Sequence, residues 1–193
     1  MLGRIVKQSA IMLGIATLLL GIVYPLVMTG VSQVIFPYQA NGSMIQRDGT
    51  PVGSALIGQE FTSDSYFWSR PSATTPPYNA ASSSGSNLSP AGQAFADLVA
   101  QRAARLRAAD PLHRKEIPVD LLTASASGLD PDITPAAALY EAPRVAAARK
   151  LPESSVKELV LAHVTERTLG ILGEARVNVL ELNLALDKLD SSR

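Results

Sequence analysis

Apolar positions are spread very unevenly along this chain. From Ile11 to Met28 they are almost continuous, broken only by Thr17 and by the small residues Gly14 and Gly21, and no charged residue falls between Lys7 and Arg47. A helix of ~20 residues at ~1.5 Å rise per residue matches a hydrocarbon core of ~30 Å, so residues 11–36 are predicted to form one tilted transmembrane helix. Its length exceeds the ~7–15 residues of a signal-peptide core, and Tyr24–Gln33 offers no small-x-small cleavage site, which favours a retained anchor over a cleaved leader. Pro25 inside the span points to neighbouring helices that satisfy the carbonyl it frees. Phe36 and Tyr38 are placed at the outer interface, where amphipathic rings settle.

Beyond the anchor the periodicity changes repeatedly. Asn41–Pro51 carries Asn-Gly and Asp-Gly pairs and predicts a hairpin or irregular linker. Val52–Phe61 and Tyr66–Trp68 read as two short strands or extended segments, and Ser72–Pro90 as a loop, flexible by composition. Ser89–Ala109 is predicted as a helix capped by Ser89 with Pro90 in its first turn, because Phe95, Leu98, Val99, Arg102 and Leu106 recur at three- and four-residue spacing. Ile117–Ala124 reads as a buried strand. A helix from Pro135 to Lys150 is capped by Thr134, and Pro143 is expected to kink or divide it. Another begins at Pro152 and is expected to run to Gly170, with Val156, Leu159, Val160, His163, Val164 and Leu169 on one face. Val179–Leu189 alternates like a strand, yet Asn178 and Glu181 form a capping box and leucine favours helix. Helix is chosen.

The fold class expected is therefore a mixed α+β domain on a single N-terminal transmembrane helix. Residues 1–10 form a cytoplasmic N-terminus, 11–36 the span, and 37–193 one soluble domain with a Ser/Thr/Pro-rich loop at 72–90. Roughly 150 residues outside the span suffice for one hydrophobic core. Arg4 and Lys7 precede the span and no further basic residue follows until Arg47, so the positive-inside rule puts the N-terminus in the cytoplasm and the domain outside. Lysine plus arginine equal aspartate plus glutamate at 17 each, without a basic stripe, which argues against nucleic acid as a partner. The chain has no cysteine, which excludes disulfides, thiolate metal sites and a thiol nucleophile.

Candidate chemistry is sparse. The two histidines, His113 and His163, form no metal-binding pair, and His163 reads as a half-buried, satisfied side chain. Ser154 and Lys157 have the S-x-x-K spacing, but the K-T-G and S-D-N partners are missing and Ser154 is explained as a helix cap. Asp130-Pro131-Asp132 with Thr134 begins like a calcium loop, yet Pro135 stands where the turn glycine belongs, and helix entry explains the run better. No phosphate-cradling glycine loop and no nucleophile elbow occur. No catalytic residue, metal or tightly bound cofactor is expected.

Four ordered blocks carry a resemblance. They are S-A-L-I-G-Q-E-F with Y-F-W-S-R-P-S-A (Ser54–Ala73), S-S-G-S-N-L-S-P (Ser83–Pro90), D-L-L-T-A-S-A-S-G-L-D-P-D-I-T-P-A-A-A (Asp120–Ala138) and R-T-L-G-I-L-G-E-A-R-V-N-V-L-E-L-N-L-A-L-D (Arg167–Asp187). Behind one N-terminal span, this set resembles the C subunits of Kdp-type potassium-transporting ATPases over nearly the whole chain. The resemblance implies an inner-membrane complex with a channel-like potassium subunit, a P-type ATPase subunit and a very small stabilising subunit, all meeting this chain in the lipid bilayer. ATP and potassium then belong to the complex. The D-K-T-G-T phosphorylation motif and a T-V-G-Y-G-like filter loop are both missing here, as expected of an accessory subunit.

The family's C subunit is described as a catalytic chaperone that raises the pump subunit's affinity for ATP. With the domain outside and ATP inside, the preferred mechanism is indirect: the domain packs over the outer face of the channel-like subunit while the span braces the membrane region. The alternative is nucleotide or phosphate contact through Ser83, Ser84, Gly85, Ser86 and Asn87, which requires the opposite orientation or a rearranged complex. Subunit-interface candidates are Gln59, Phe61, Tyr66, Phe67, Trp68, Arg70, Ser125, Ser127, Gly128, Asp130, Arg176 and Asn178, although an aromatic cluster is as often core. An anchored extracytoplasmic binding or envelope-assembly protein working without a transporter stays open, with an anchored hydrolase third.

Overall fold

The computed structural model describes residues 1–113 and 115–191. Residues 114, 192 and 193 of the expected domain lie outside that description. The chain divides into two units, Met1–Met44 and Ile45–Arg193.

In the first unit, Leu2–Ile35 forms one helix long and apolar enough to cross a membrane. It comprises α1 (Leu2–Leu18), a π-helical turn (Leu19–Val23) and α2 (Tyr24–Ile35). Pro25 lacks an amide hydrogen and opens α2 directly after the π turn, so the ladder widens where the proline would otherwise break it. The helix begins nine residues earlier than the apolar run, which places Arg4 and Lys7 on its first turns. One further turn, α3 (Pro37–Ala40), follows, and the Tyr38 hydroxyl donates to the Ser43 carbonyl at 3.1 Å.

A hairpin, β1 (Met44–Arg47) and β2 (Thr50–Ser54), follows in the chain, all of it but Met44 in the second unit. Asp48 and Gly49 make its two-residue turn with φ of +52° and +77°, the left-handed geometry that an Asp-Gly pair adopts readily. Four helices follow: α4 (Gln93–Ala109), α5 (Pro135–Arg149), α6 (Glu153–Ala162) and α7 (Val179–Ser191). A small antiparallel sheet in the order β3-β5-β4 joins Asp132–Ile133, Arg176–Asn178 and Val164–Thr165. Val177 at its centre pairs with both Ile133 and Val164. Phe67, Val145, Val156, Val160, Val177, Leu182 and Leu186 are all wholly buried, and each such side chain removed from water contributes ~1.5–3 kcal/mol.

The mixed α+β class, the hairpin, the Thr134 cap and the helical C-terminus all agree with the sequence reading. Thr134 Oγ1 accepts from the Ala137 amide at 3.1 Å, and Asn178 Oδ1 accepts from the Glu181 amide at 3.1 Å. His163 is half-buried, with Nδ1 2.8 Å from the Leu159 carbonyl.

Several elements differ. Ile117–Ala124 is not a strand but contains a 3-10 turn at Val119–Leu121. Consecutive Asp120 and Leu121 are both buried while Val119 is exposed, a distribution that alternating strand geometry forbids. Tyr66–Trp68 joins no sheet, because its backbone bonds go to side chains instead. Pro143 neither ends nor divides α5; burial of Ala138, Tyr140, Ala142, Val145 and Ala146 along that helix outweighs the ~3 kcal/mol that an interior proline costs. The helix from Pro152 stops at Ala162, since Val164–Thr165 is recruited as a sheet edge, and Leu169 projects into solvent. Ser89 and Pro90 form a turn ahead of α4, which starts after Gly92, and Ser154 lies inside the first turn of α6 behind Pro152.

Candidate functional site

The aromatic segment 63–70 is held by ionic groups from the helices. Glu141 on α5 is completely buried; its Oε2 accepts from the Trp68 amide at 2.7 Å and from Arg144 at 2.6 Å. Burial pushes the Glu141 carboxyl up to about 7 against the opposing pull of Arg144 and the Trp68 amide. Arg144 also donates to the Asp64 and Tyr66 carbonyls at 2.6 and 3.0 Å. Its guanidinium lies 4.2 Å from the centre of the Trp68 ring, and that of Arg105 on α4 lies 4.4 Å from it. These are cation–π contacts in a partly desolvated setting. Asp187 on α7 joins a second set, accepting from Arg47 at 2.9 Å, Arg149 at 2.8 Å and the Tyr66 hydroxyl at 3.3 Å.

A cavity of about 200 Å³ opens beside this arrangement. Arg70 lines it, paired through Nη1 with Asp130 at 2.9 Å. Tyr78 lines it too and donates to the Arg70 carbonyl, and burial raises that phenol to about 12.

The serine loops meet each other. The Ser84 amide and the Ser83 hydroxyl both donate to the Ser127 carbonyl at 3.0 Å, and Ser72 Oγ donates to the Gly128 carbonyl at 2.7 Å. Gly128 has φ +67°, and a Cβ there would lie 2.7 Å from both the Ser84 carbonyl oxygen and Thr74 Cγ2, so only glycine fits between the loops. Ser83, Ser84, Ser86 and Asn87 are exposed on this double loop, Gly85 is half-buried against Ala126, and Ser125 and Ser127 are half-buried.

Elsewhere, Thr168 and Leu172 pair across a tight turn with Leu169 and Gly170 at positive φ. Leu169, Ile171 and Leu172 stand exposed at its tip, 85%, 76% and 57% accessible, above the Arg167–Glu174 ion pair.

The sequence-derived candidates thus separate. Phe67 and Trp68 are buried in the core, and Trp68 also lines the cavity. Phe61 and Tyr66 are half-buried with ring centres 5.6 Å apart. Gln59 donates to the Val52 carbonyl at 2.8 Å, and Asn178 to the Ala55 carbonyl at 2.9 Å. Arg176 is exposed and pairs with Asp132 at 3.1 Å. Glu141, Arg144, Asn183 and Arg105 escaped sequence reasoning, and Arg102 entered it only as a position in a helical pattern; a charge or amide on a helix of alanine and leucine signals solvent exposure as readily as a buried bond.

Two units of this kind define a class: a single apolar helix fitting a single-pass membrane anchor, and an α+β domain braced by buried arginine–carboxylate bonds. No group of three or more metal-ligating side chains is assembled among the described residues. A family model for the K+-transporting ATPase c chain, KdpC, matches residues 6–188. The potassium-transporting ATPase KdpC subunit of Polaromonas naphthalenivorans is 56% identical over 187 residues, covering 96% of this chain and 95% of that protein. Its counterpart from Burkholderia vietnamiensis is 56% identical over 184 residues, 95% of each. That of Variovorax paradoxus is 52% identical over 193 residues and covers both chains completely. This chain belongs to the K+-transporting ATPase c chain family.

Proposed function

We propose that this chain is an accessory, non-catalytic subunit of an ATP-driven potassium uptake complex, assisting its assembly and coupling. The family match over residues 6–188 carries the reading. ATP hydrolysis belongs to a P-type subunit, potassium passage to a channel-like subunit, and a small membrane subunit completes the assembly in the inner membrane. Arg4 and Lys7 at the start of the span support a cytoplasmic N-terminus and an extracytoplasmic domain. ATP then has no direct route to this domain. Any gain in ATP affinity is a coupling free energy between distant sites, of ~1–3 kcal/mol.

The exposed tip of Leu169, Ile171 and Leu172 supports docking on the outer face of the channel-like subunit. Three large apolar side chains held out by a tight turn are costly in water and suited to an apolar socket. The double loop of Ser83–Asn87 and Ser125–Gly128 offers a polar rim for the same contact. The test is co-purification of the complex carrying Leu169→Ser and Ile171→Ser together. Reduced recovery with an unchanged unfolding midpoint of this chain is expected, and full recovery would overturn the docking surface.

A further inference from the structure

The cavity beside Trp68 has a charge pattern that its own walls do not complete. Arg102 and Arg105 sit three residues apart on α4, so their guanidiniums share one face of the helix. Neither meets a carboxylate among the described residues. Arg102 donates to the Leu122 carbonyl at 2.8 Å, and burial lowers its pKa, as for a desolvated cation without a counter-charge. Arg105 lies against the Trp68 ring. One further lining residue, Arg70, leaves its buried Nε without an acceptor. An unsatisfied buried donor is costly, and beside two guanidiniums without a carboxylate it marks a place where a bound acceptor completes the bonding.

We infer that this cavity is a binding site for a single carboxylate on a short aliphatic stem, gripped by Arg102 and Arg105. The guanidinium fork matches a carboxylate in plane and spacing. Charge selects a monoanion. Arg70 and Glu141 already have ionic partners, so two free guanidiniums face only Glu60 among the remaining charged walls. A phosphate, carrying close to two charges at neutral pH, would bring its second charge beside Glu60 and Glu141. Phe61, Pro71 and Leu106 provide an apolar wall for the stem. The carboxylate comes either from a free short-chain acid or from an acidic side chain of another subunit.

Trp68 is the only tryptophan in the chain and lines the cavity, so its fluorescence reports occupancy directly. The full chain in detergent is titrated with propionate at constant ionic strength, with chloride and phosphate as comparison anions, and binding of radiolabelled propionate is measured alongside. The expected result is saturable propionate binding that weakens roughly tenfold or more in Arg102→Gln. Arg107→Gln on the exposed side of α4 should leave it unchanged. Arg105→Gln, whose side chain is exposed, is the second variant should Arg102→Gln unfold, and there the radiolabel alone is read. Absence of saturation, equal responses to all three anions, a preference for phosphate, or undiminished binding in both arginine variants would each overturn the inference. Labelled propionate retained by the assembled complex identifies a free acid as the ligand. Binding to the lone chain that is lost in the complex identifies a partner's side chain.

Discussion

Asn183 holds the backbone of Phe67 from both sides. Its Oδ1 accepts from the Phe67 amide at 2.9 Å and its Nδ2 donates to the Phe67 carbonyl at 3.0 Å, so one side chain replaces a whole rung of a sheet. Both residues are buried. Asn183→Ala leaves a buried donor and acceptor unpaired and should cost roughly 2–3 kcal/mol, read as a lower denaturant midpoint of the full chain.

Glu141 makes stability depend on pH. Its folded pKa, about 7, lies above the ordinary 4.5, so the folded state holds this proton where the unfolded state has released it. The contribution therefore favours folding at low pH, and falls as pH rises from about 4.5 to about 7 with a slope of at most ~1.4 kcal/mol per pH unit. Thermal unfolding across that window should show the decline, and Glu141→Gln should flatten it.

Gly128 is the only residue that fits between the serine loops. Gly128→Ala meets both a positive φ and the Ser84 carbonyl oxygen, and should cost about 1–3 kcal/mol. Faster hydrogen exchange at the Ser84 amide, whose acceptor is the Ser127 carbonyl, would locate the damage in the double loop.

Orientation is testable because the chain has no cysteine. Ser84→Cys in intact cells should react with a membrane-impermeant thiol reagent, and less so when the partner subunits are present. Reaction only after the inner membrane is opened would reverse the topology and favour nucleotide contact at Ser83–Asn87.

Local physics accounts for one part of this architecture. An uncharged apolar run of this length yields a helix long and apolar enough to cross a membrane without tertiary help. Asp48-Gly49 makes its turn, Thr134 and Asn178 cap their helices, and the leucines of Val179–Leu189 favour helix. The family blocks likewise singled out the serine loops. The tertiary structure decided wherever a segment's bonds lie far along the chain. Trp68 bonds to a side chain 73 residues away and Phe67 to one 116 residues away, so an apparent strand became a segment pinned by side chains. Val164 left its helix to pair with Val177, and Asp120 turned inward to accept from the Thr134 amide at 2.7 Å. The cavity belongs to this second kind: Arg102, Arg105, Arg70 and Glu141 meet only after folding, because no local rule distinguishes an arginine in open water from one lining a cavity.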